Sequence, residues 1–99
     1  MLFTGHTHLP GVFTDDPIGF LPPSNVREYF HYKKGTKVII NVGSVGQPKD
    51  GDPRACYLEI QKNEMFWRRV EYDVARVVEK VKANARLSPA FGARLLRGI

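Results

Sequence analysis

The sequence of 99 residues predicts an α/β fold in which strands come first and two C-terminal helices follow. Segments 56–61 (CYLEIQ) and 65–72 (MFWRRVEY) are rich in β-branched and aromatic residues, and the first alternates apolar with polar positions, as strands do. Segment 73–85 instead repeats valine with the three-and-four spacing of one helical face, at Val74, Val77, Val78 and Val81.

The first half of the chain predicts three further strands and two loops. Residues 1–4 (MLFT) are typical of the end of a strand, and segments 26–32 (VREYFHY) and 37–42 (KVIINV) are predicted to pair as a hairpin. Segment 9–25 contains four prolines and two glycines and is interpreted as one long loop. Segment 43–55 (GSVGQPKDGDPRA) is a second loop of similar composition.

The second half predicts a core-facing strand and two capped helices. Cys56, Leu58 and Ile60 are expected to face a core, with the cysteine a small buried hydrophobe rather than a reactive thiol. Asp73 is a suitable N-cap for the first helix. The second helix has a cap followed by proline at Ser88–Pro89, a glycine after its end at Gly98, and Phe91 and Leu95 as docking residues.

Composition limits the classes of protein that fit. No apolar run approaches the roughly 18–20 residues that a membrane helix needs, and the single cysteine fits a reducing compartment, so a cytoplasmic location is expected. The net charge of +5 could attract phosphate groups. The basic residues of the last third alternate with apolar ones, as on a solvated face, so a nucleic-acid-binding domain is disfavoured.

The sequence 5–10 (GHTHLP) places two imidazoles one residue apart. On an extended strand His6 and His8 would point to the same face and could bind one metal ion. If the chain turns at Gly5, the two rings could instead serve two ions of one site. A surface pair satisfied by backbone hydrogen bonds is the third reading, and for His31 a structural role is favoured.

Two motifs together resemble the C-terminal part of the calcineurin-like metallophosphoesterases. They are GHTHLP at 5–10 and, some thirty residues later, INVGSVGQPKDGDPRACY at 40–57, and they are most similar to the small bacterial and archaeal phosphodiesterase branch. The resemblance implies a sandwich of two mixed sheets with helices outside. Residues 1–99 are then the C-terminal portion of a single phosphoesterase domain, and Met1 is expected to lie inside a longer coding sequence.

The resemblance also implies the metal ligands and the reaction. His6 would bind one divalent ion and His8 the other, with manganese, iron, nickel or zinc as the candidate metals, and the substrate would be a phosphate ester, more specifically a phosphodiester. Val42 stands where many relatives have proline, and Lys49 where arginine is common. The family's Asp-X-His, Gly-Asp and Gly-Asn-His motifs precede GHTH and have no counterpart in this chain, so the site is incomplete.

Two questions stay open at this point. Arg54 could face a phosphate, or it could be locked to Asp52 within the loop. The chain itself is expected to be catalytically silent, and the alternative to an enzyme segment is a non-catalytic remnant or partner-binding module that assembles, or self-associates, through an open sheet edge.

Overall fold

A computed structural model describes residues 1–23 and 28–99, and it has the α/β order that the sequence predicts. The elements of the described part of the chain are the strands β1 (Leu2–Thr4), β2 (Gly11–Asp15), β3 (Ile18–Leu21), β4 (Tyr29–His31), β5 (Val38–Asn41), β6 (Ala55–Gln61) and β7 (Glu64–Val70), and the helices α1 (Val74–Ala83) and α2 (Pro89–Leu95). No helix among these residues is long and apolar enough to cross a membrane.

The strands form two sheets that share one core. The four-stranded sheet has the order β1-β5-β2-β3, with β1 parallel to β5 and the other pairs antiparallel. The three-stranded sheet has the order β4-β7-β6 and is antiparallel throughout. Side chains from both sheets make the buried core, and they are Val12, Val38, Ile40, Cys56, Met65 and Trp67.

The interpretation of residues 9–25 as one long loop is wrong. Strands β2 and β3 form an antiparallel hairpin there, with Phe13 opposite Phe20. The four prolines lie before β2, in the turn and after β3, so they bracket the strands and do not interrupt them. In the turn, the Thr14 hydroxyl donates a hydrogen bond of 2.6 Å to the Pro17 carbonyl.

The predicted hairpin of segments 26–32 and 37–42 is also wrong. Part of the first segment lies outside the described residues, and the rest forms β4, which pairs with β7. The second segment forms β5, which lies between β1 and β2 in the other sheet. Its Val38, Ile40 and Asn41 are buried. The backbone of such a buried strand needs hydrogen-bond partners on both sides, which a central position in the sheet provides.

The second half of the chain confirms most of its predictions. Strands β6 and β7 pair in antiparallel register, with Cys56 buried and Leu58 partly buried. Ile60, however, is 50% exposed, because β6 is an edge strand and nothing among the described residues covers its outer end.

The two helices are capped as predicted and pack against each other. The Asp73 carboxylate accepts a hydrogen bond from the Arg76 N–H, and the Ser88 hydroxyl accepts one from the Ala90 N–H. Val78 of α1 is buried, with the other three valines of the stripe at the same side. Leu95 is buried as a docking residue should be, whereas Phe91 stays 46% exposed.

Burial makes Cys56 a poor nucleophile. Removal of the thiol from water raises its pKa to about 11, so the thiolate that reacts with disulfide reagents is scarce at neutral pH. Near pH 8 we expect Ellman's reagent to label the folded chain roughly a hundredfold more slowly than the same chain in concentrated urea. Equal rates in the two conditions would show that the thiol is accessible in the folded protein.

Candidate metal centre

The two histidines of the GHTH motif lie in a turn after β1. The strand ends at Thr4, and the Thr7 N–H donates a hydrogen bond of 2.8 Å to the Gly5 carbonyl, which places His6 at the centre of a tight three-residue turn. His6 and His8 have φ of +68° and +62°, in the left-handed region that residues other than glycine seldom adopt. Of the strand and the turn that the sequence left open, the structure has the turn. The contact of His8 Nδ1 with the Gln47 carbonyl also fits the third reading, a pair satisfied by backbone hydrogen bonds.

The buried side chain of Asn41 holds this turn, residues 5–8 and called the His turn below, in place. Its amide donates hydrogen bonds to the Gly5 carbonyl at 3.0 Å and to the Thr7 hydroxyl at 2.7 Å. Its carbonyl oxygen accepts a bond of 3.0 Å from the Gly43 N–H. Asn41 is fully buried, and these bonds satisfy both its amide hydrogens and its oxygen. The backbone carbonyl of the same residue accepts a bond of 2.9 Å from the Trp67 indole, so one residue connects the turn, the following loop and the second sheet.

His8 is oriented by the second loop. Its Nδ1 lies 2.8 Å from the Gln47 carbonyl, which can only accept, so Nδ1 carries the proton and Nε2 keeps a free electron pair. In a metal-binding histidine, the ring nitrogen that does not bind the metal usually donates its hydrogen to a carbonyl or carboxylate. The Lys49 N–H donates a bond of 3.3 Å to the His8 carbonyl, and His6 is exposed beside it.

Close backbone approach explains one glycine of the second loop. Gly43 has a φ of +84°, and a Cβ atom there would meet the Cys56 sulfur at 2.7 Å and the Pro10 side chain at 3.2 Å. Gly43 also donates a hydrogen bond to Asn41, which holds the His turn, so the start of the second loop packs closely against both the core and the residue that positions the turn.

Arg54 is locked to Asp52, which is the second of the two readings open above. Its side chain donates to both oxygens of that carboxylate, with the shortest bond at 2.6 Å, and the Arg54 N–H adds a bond of 3.0 Å. These hydrogen bonds lower the pKa of Asp52 from its ordinary value. A phosphate would have to compete with this pair, so Arg54 is not a free cation of the site.

Asp50 and His31 are each paired with another side chain. Asp50 binds the guanidinium of Arg69, and His31 makes a contact of 2.6 Å with the Glu64 carboxylate, which fits the structural role expected for it. In residues 1–23 and 28–99 no three His, Cys, Asp or Glu side chains are grouped so that they could hold a metal ion.

Asn41 and Arg69 were not singled out by sequence reasoning. The side chain of Arg69 is only 5% exposed; it donates to both oxygens of Asp50 and lies 3.9 Å from Asp52, so it fixes the second loop to β7. A single arginine in an alternating strand carries no signal of this role. For Asn41 there was a signal, because a polar residue ends the apolar run VIIN.

The chain is similar in sequence to an uncharacterized protein of Methanocaldococcus jannaschii. The two are 34% identical over 100 aligned residues, which cover 99% of this chain and 39% of the relative. No family model matches the chain.

The fold is that of a solved phosphoesterase. The metallophosphoesterase of Sphaerobacter thermophilus superposes with a TM-score of 0.82 at 32% identity, over 98% of this chain and 41% of the other. The resemblance to the metallophosphoesterases is confirmed. The chain spans about two fifths of the length of each relative, and its two sheets and closing helices have the fold of the matched part of that metallophosphoesterase.

The hydrogen bonds of Asn41 are expected to stabilise the segment measurably. In Asn41→Leu, the buried Gly43 N–H loses its acceptor and the Gly5 carbonyl and the Thr7 hydroxyl each lose one hydrogen bond, so the free energy of unfolding falls by roughly 2–3 kcal/mol. The matched control is Asn63→Leu in the exposed β6–β7 turn, which stays within about 0.5 kcal/mol. Urea unfolding followed by far-ultraviolet circular dichroism compares the two, and equal losses would contradict the central role of Asn41.

Proposed function

We propose that residues 1–99 are the C-terminal portion of one calcineurin-like phosphoesterase domain, whose complete form hydrolyses phosphate esters with two divalent metal ions. The strongest support is the His turn, in which His6 and His8 are held in strained conformations and the Gln47 carbonyl takes Nδ1 of His8, which leaves Nε2 as the ring nitrogen for a metal. Non-glycine residues in the left-handed region cost of order 1–3 kcal/mol each, and such strain clusters at functional sites.

The two imidazoles of the His turn fit part of the ligand set of a dinuclear centre. We assign His6 to one ion and His8 to the other, because a tight turn aims neighbouring side chains at different points, whereas a strand would aim both at the same one. Manganese, iron, nickel and zinc all accept imidazole ligands, so the choice among them stays a proposal. A bridging carboxylate would have to come from other residues than those described, given that none of them groups with the pair.

The division of labour follows from the contacts. Divalent ions at such a centre supply Lewis-acid activation of water and neutralise charge on the phosphoryl oxygens. Within this chain, the Gln47 carbonyl holds the proton on Nδ1 of His8, and Asn41 holds the turn at a fixed distance from β5. Lys49 lies in the second loop, where its backbone N–H bonds the His8 carbonyl. Its ammonium group carries a positive charge but cannot bind phosphate in the bidentate manner of arginine.

Phosphodiesters are the proposed substrates within the phosphate esters, on the resemblance of the GHTHLP and GSVGQPKDGDPRA motifs to the phosphodiesterase branch. The fold shared with the Sphaerobacter metallophosphoesterase supports a phosphoesterase, but a fold alone does not distinguish diester from monoester substrates. The cytoplasmic location likewise stays a prediction.

A non-catalytic partner-binding module is the second candidate function. It is favoured by the outer edge of β1, which pairs with no strand of the described residues and so presents free backbone donors and acceptors to another polypeptide. This candidate requires no metal at His6 and His8, which gives a direct way to separate the two functions.

Metal binding by the isolated chain tests the assignment of the histidines. On titration with Zn²⁺, the imidazole NMR signals of His6 and His8 are expected to respond at lower metal concentration than that of His31. Because each ring is assigned to its own ion, His8→Gln should leave the response of His6 to Zn²⁺ unchanged and remove about half of the Zn²⁺ bound at saturation. The control His31→Gln should leave both quantities unchanged, since that ring is paired with Glu64. Equal effects of the two substitutions would refute the assignment.

The isolated chain is expected to be catalytically silent. Two imidazoles without a bridging carboxylate cannot position two ions, so bis(4-nitrophenyl) phosphate in the presence of Mn²⁺ should be hydrolysed no faster than in buffer containing Mn²⁺ alone. Turnover that disappears in His8→Ala but persists in His31→Ala would overturn this expectation and make the short chain an enzyme in its own right.

A further inference from the structure

The two C-terminal helices start at the end of the molecule that carries the His turn. Strand β7 ends at Val70, which pairs with Ala55, the last residue of the second loop and the first of β6. The same loop contacts His8 through the Gln47 carbonyl and the Lys49 N–H. Helix α1 follows directly after β7, so the space between the helices and the second loop lies next to the candidate metal ligands.

A cleft of about 390 Å³, called the helix cleft below, separates the second loop from the two helices. This volume lies within the range of small-molecule sites, about 300–1,000 Å³. On the loop side it is lined by Gln47 and Lys49, the two residues that contact His8. The helical wall is apolar and is formed by Val81, Leu87, Phe91 and Leu95.

The apolar wall of the helix cleft is open to solvent. Phe91 is expected from its spacing to dock α2, yet it is 46% exposed, and Leu87 is 41% exposed. The Arg94 guanidinium also lines the cleft and lies 5.8 Å from the centre of the Phe91 ring. A flat group that enters the cleft can therefore stack on the aromatic ring and meet the guanidinium at the same time.

The charge of the helix cleft is positive. Lys49 and Arg94 line it, and within residues 1–23 and 28–99 no acidic side chain does so. Neither cation forms a salt bridge with a described residue, whereas the two acids that follow Lys49 in the second loop are each bound to an arginine. The cleft therefore favours an anionic ligand over a cationic one.

Close packing fixes the walls of the helix cleft relative to each other. The Gly98 carbonyl, just after α2, accepts a hydrogen bond of 2.9 Å from the Gly51 N–H of the second loop. A Cβ atom at Gly98 would meet the Asp52 backbone at 2.7 Å, and one at Gly92 would meet the Val78 side chain at 3.1 Å. Helix α2 is thus held both to the loop and to α1. A preformed cleft costs a ligand less ordering entropy than one that must assemble around it.

We propose that the helix cleft binds the organic group of the phosphate ester, and that this group is aromatic and carries a negative charge of its own. Its ring packs against Phe91 and Leu87, and its charge faces Arg94. Lys49 connects the cleft with the His turn through its bond to the His8 carbonyl. The assignment to a phosphate ester rests on the proposed function, whereas the preference for an aromatic anion stands on the residues of the cleft alone.

Binding of 2-naphthalenesulfonate to the chain in EDTA tests the cleft without the metal centre. Followed by amide NMR signals, the sulfonate should bind roughly threefold more tightly than the neutral 2-naphthol, because its charge meets Arg94. Arg94→Gln should remove that advantage, and Phe91→Leu should weaken binding roughly threefold, since leucine keeps the apolar contact but not the stacking. The signals of residues 87–95 and of Lys49 should move most.

Arg97→Gln is the matched control, because it removes the same charge just beyond α2 from a residue that does not line the cleft. At 0.15 M salt it should change the affinity by less than about 1.5-fold. Equal losses in Arg94→Gln and Arg97→Gln would overturn the proposal, because the attraction would then come from the general positive charge of the chain. Equal binding of the sulfonate and of 2-naphthol would overturn it as well.

The connection between the helix cleft and the His turn is tested with 2-naphthyl phosphate. With Zn²⁺ present it should bind roughly threefold more tightly than in EDTA, because the ion adds a contact to the phosphate. His8→Gln should reduce this gain, whereas Arg94→Gln should weaken binding in both conditions and leave the gain unchanged. If His6 and His8 bind Zn²⁺ and the ester gains nothing from it, the cleft is not the subsite for the ester group.

Failure of the helix cleft and failure of the proposed function are distinguishable. A chain whose His6 and His8 do not respond to Zn²⁺, but whose binding of 2-naphthalenesulfonate depends on Arg94, would refute the proposed function and leave the aromatic-anion cleft standing. A chain that binds Zn²⁺ through the two histidines but does not prefer the sulfonate to 2-naphthol would refute the cleft alone.

Discussion

The structure depends on one buried amide. Asn41 ends the central strand β5, and its side chain holds the His turn on one side and the Gly43 backbone on the other. Its own carbonyl accepts the Trp67 indole from the opposite sheet. A fully satisfied polar network inside a core fixes one arrangement of its members, because any alternative leaves a donor or acceptor without a partner. The position of the candidate metal ligands is thus set from within the core rather than at the surface.

Charge pairing holds the second loop in a complementary way. Arg69 reaches from β7 to Asp50, while Arg54 takes Asp52, so both acids of the KDGDPR segment are bound to arginines. The loop that carries the Gln47 carbonyl is therefore clamped at its far end by ion pairs and at its near end by Pro10 and Gly43. Each of these pairs is neutral, so the net charge of +5 that suggested an affinity for phosphate comes from other basic residues.

Local signals in the sequence predicted the second half of the fold well and the first half poorly. The caps at Asp73 and Ser88 and the valine stripe act within one or two turns, so they survive in any tertiary setting. The pairing of β5 with β1 and β2 is set by contacts between segments distant in sequence. The residues KVIINV predict a strand but do not indicate which strands it pairs with. The His pair was visible as a motif, but the carbonyl that orients His8 belongs to a backbone and leaves no trace in residue types.

The left-handed backbone at His6 and His8 has an evolutionary consequence. Glycine adopts that conformation without steric cost, so replacement of either histidine by glycine would relax the fold while it deletes an imidazole. Selection for thermal stability alone would therefore favour replacement of both histidines. Retention of both histidines in related sequences would therefore indicate selection for the ligand that the imidazoles bind. Related sequences that have lost the pair would be expected to keep the fold without that binding function.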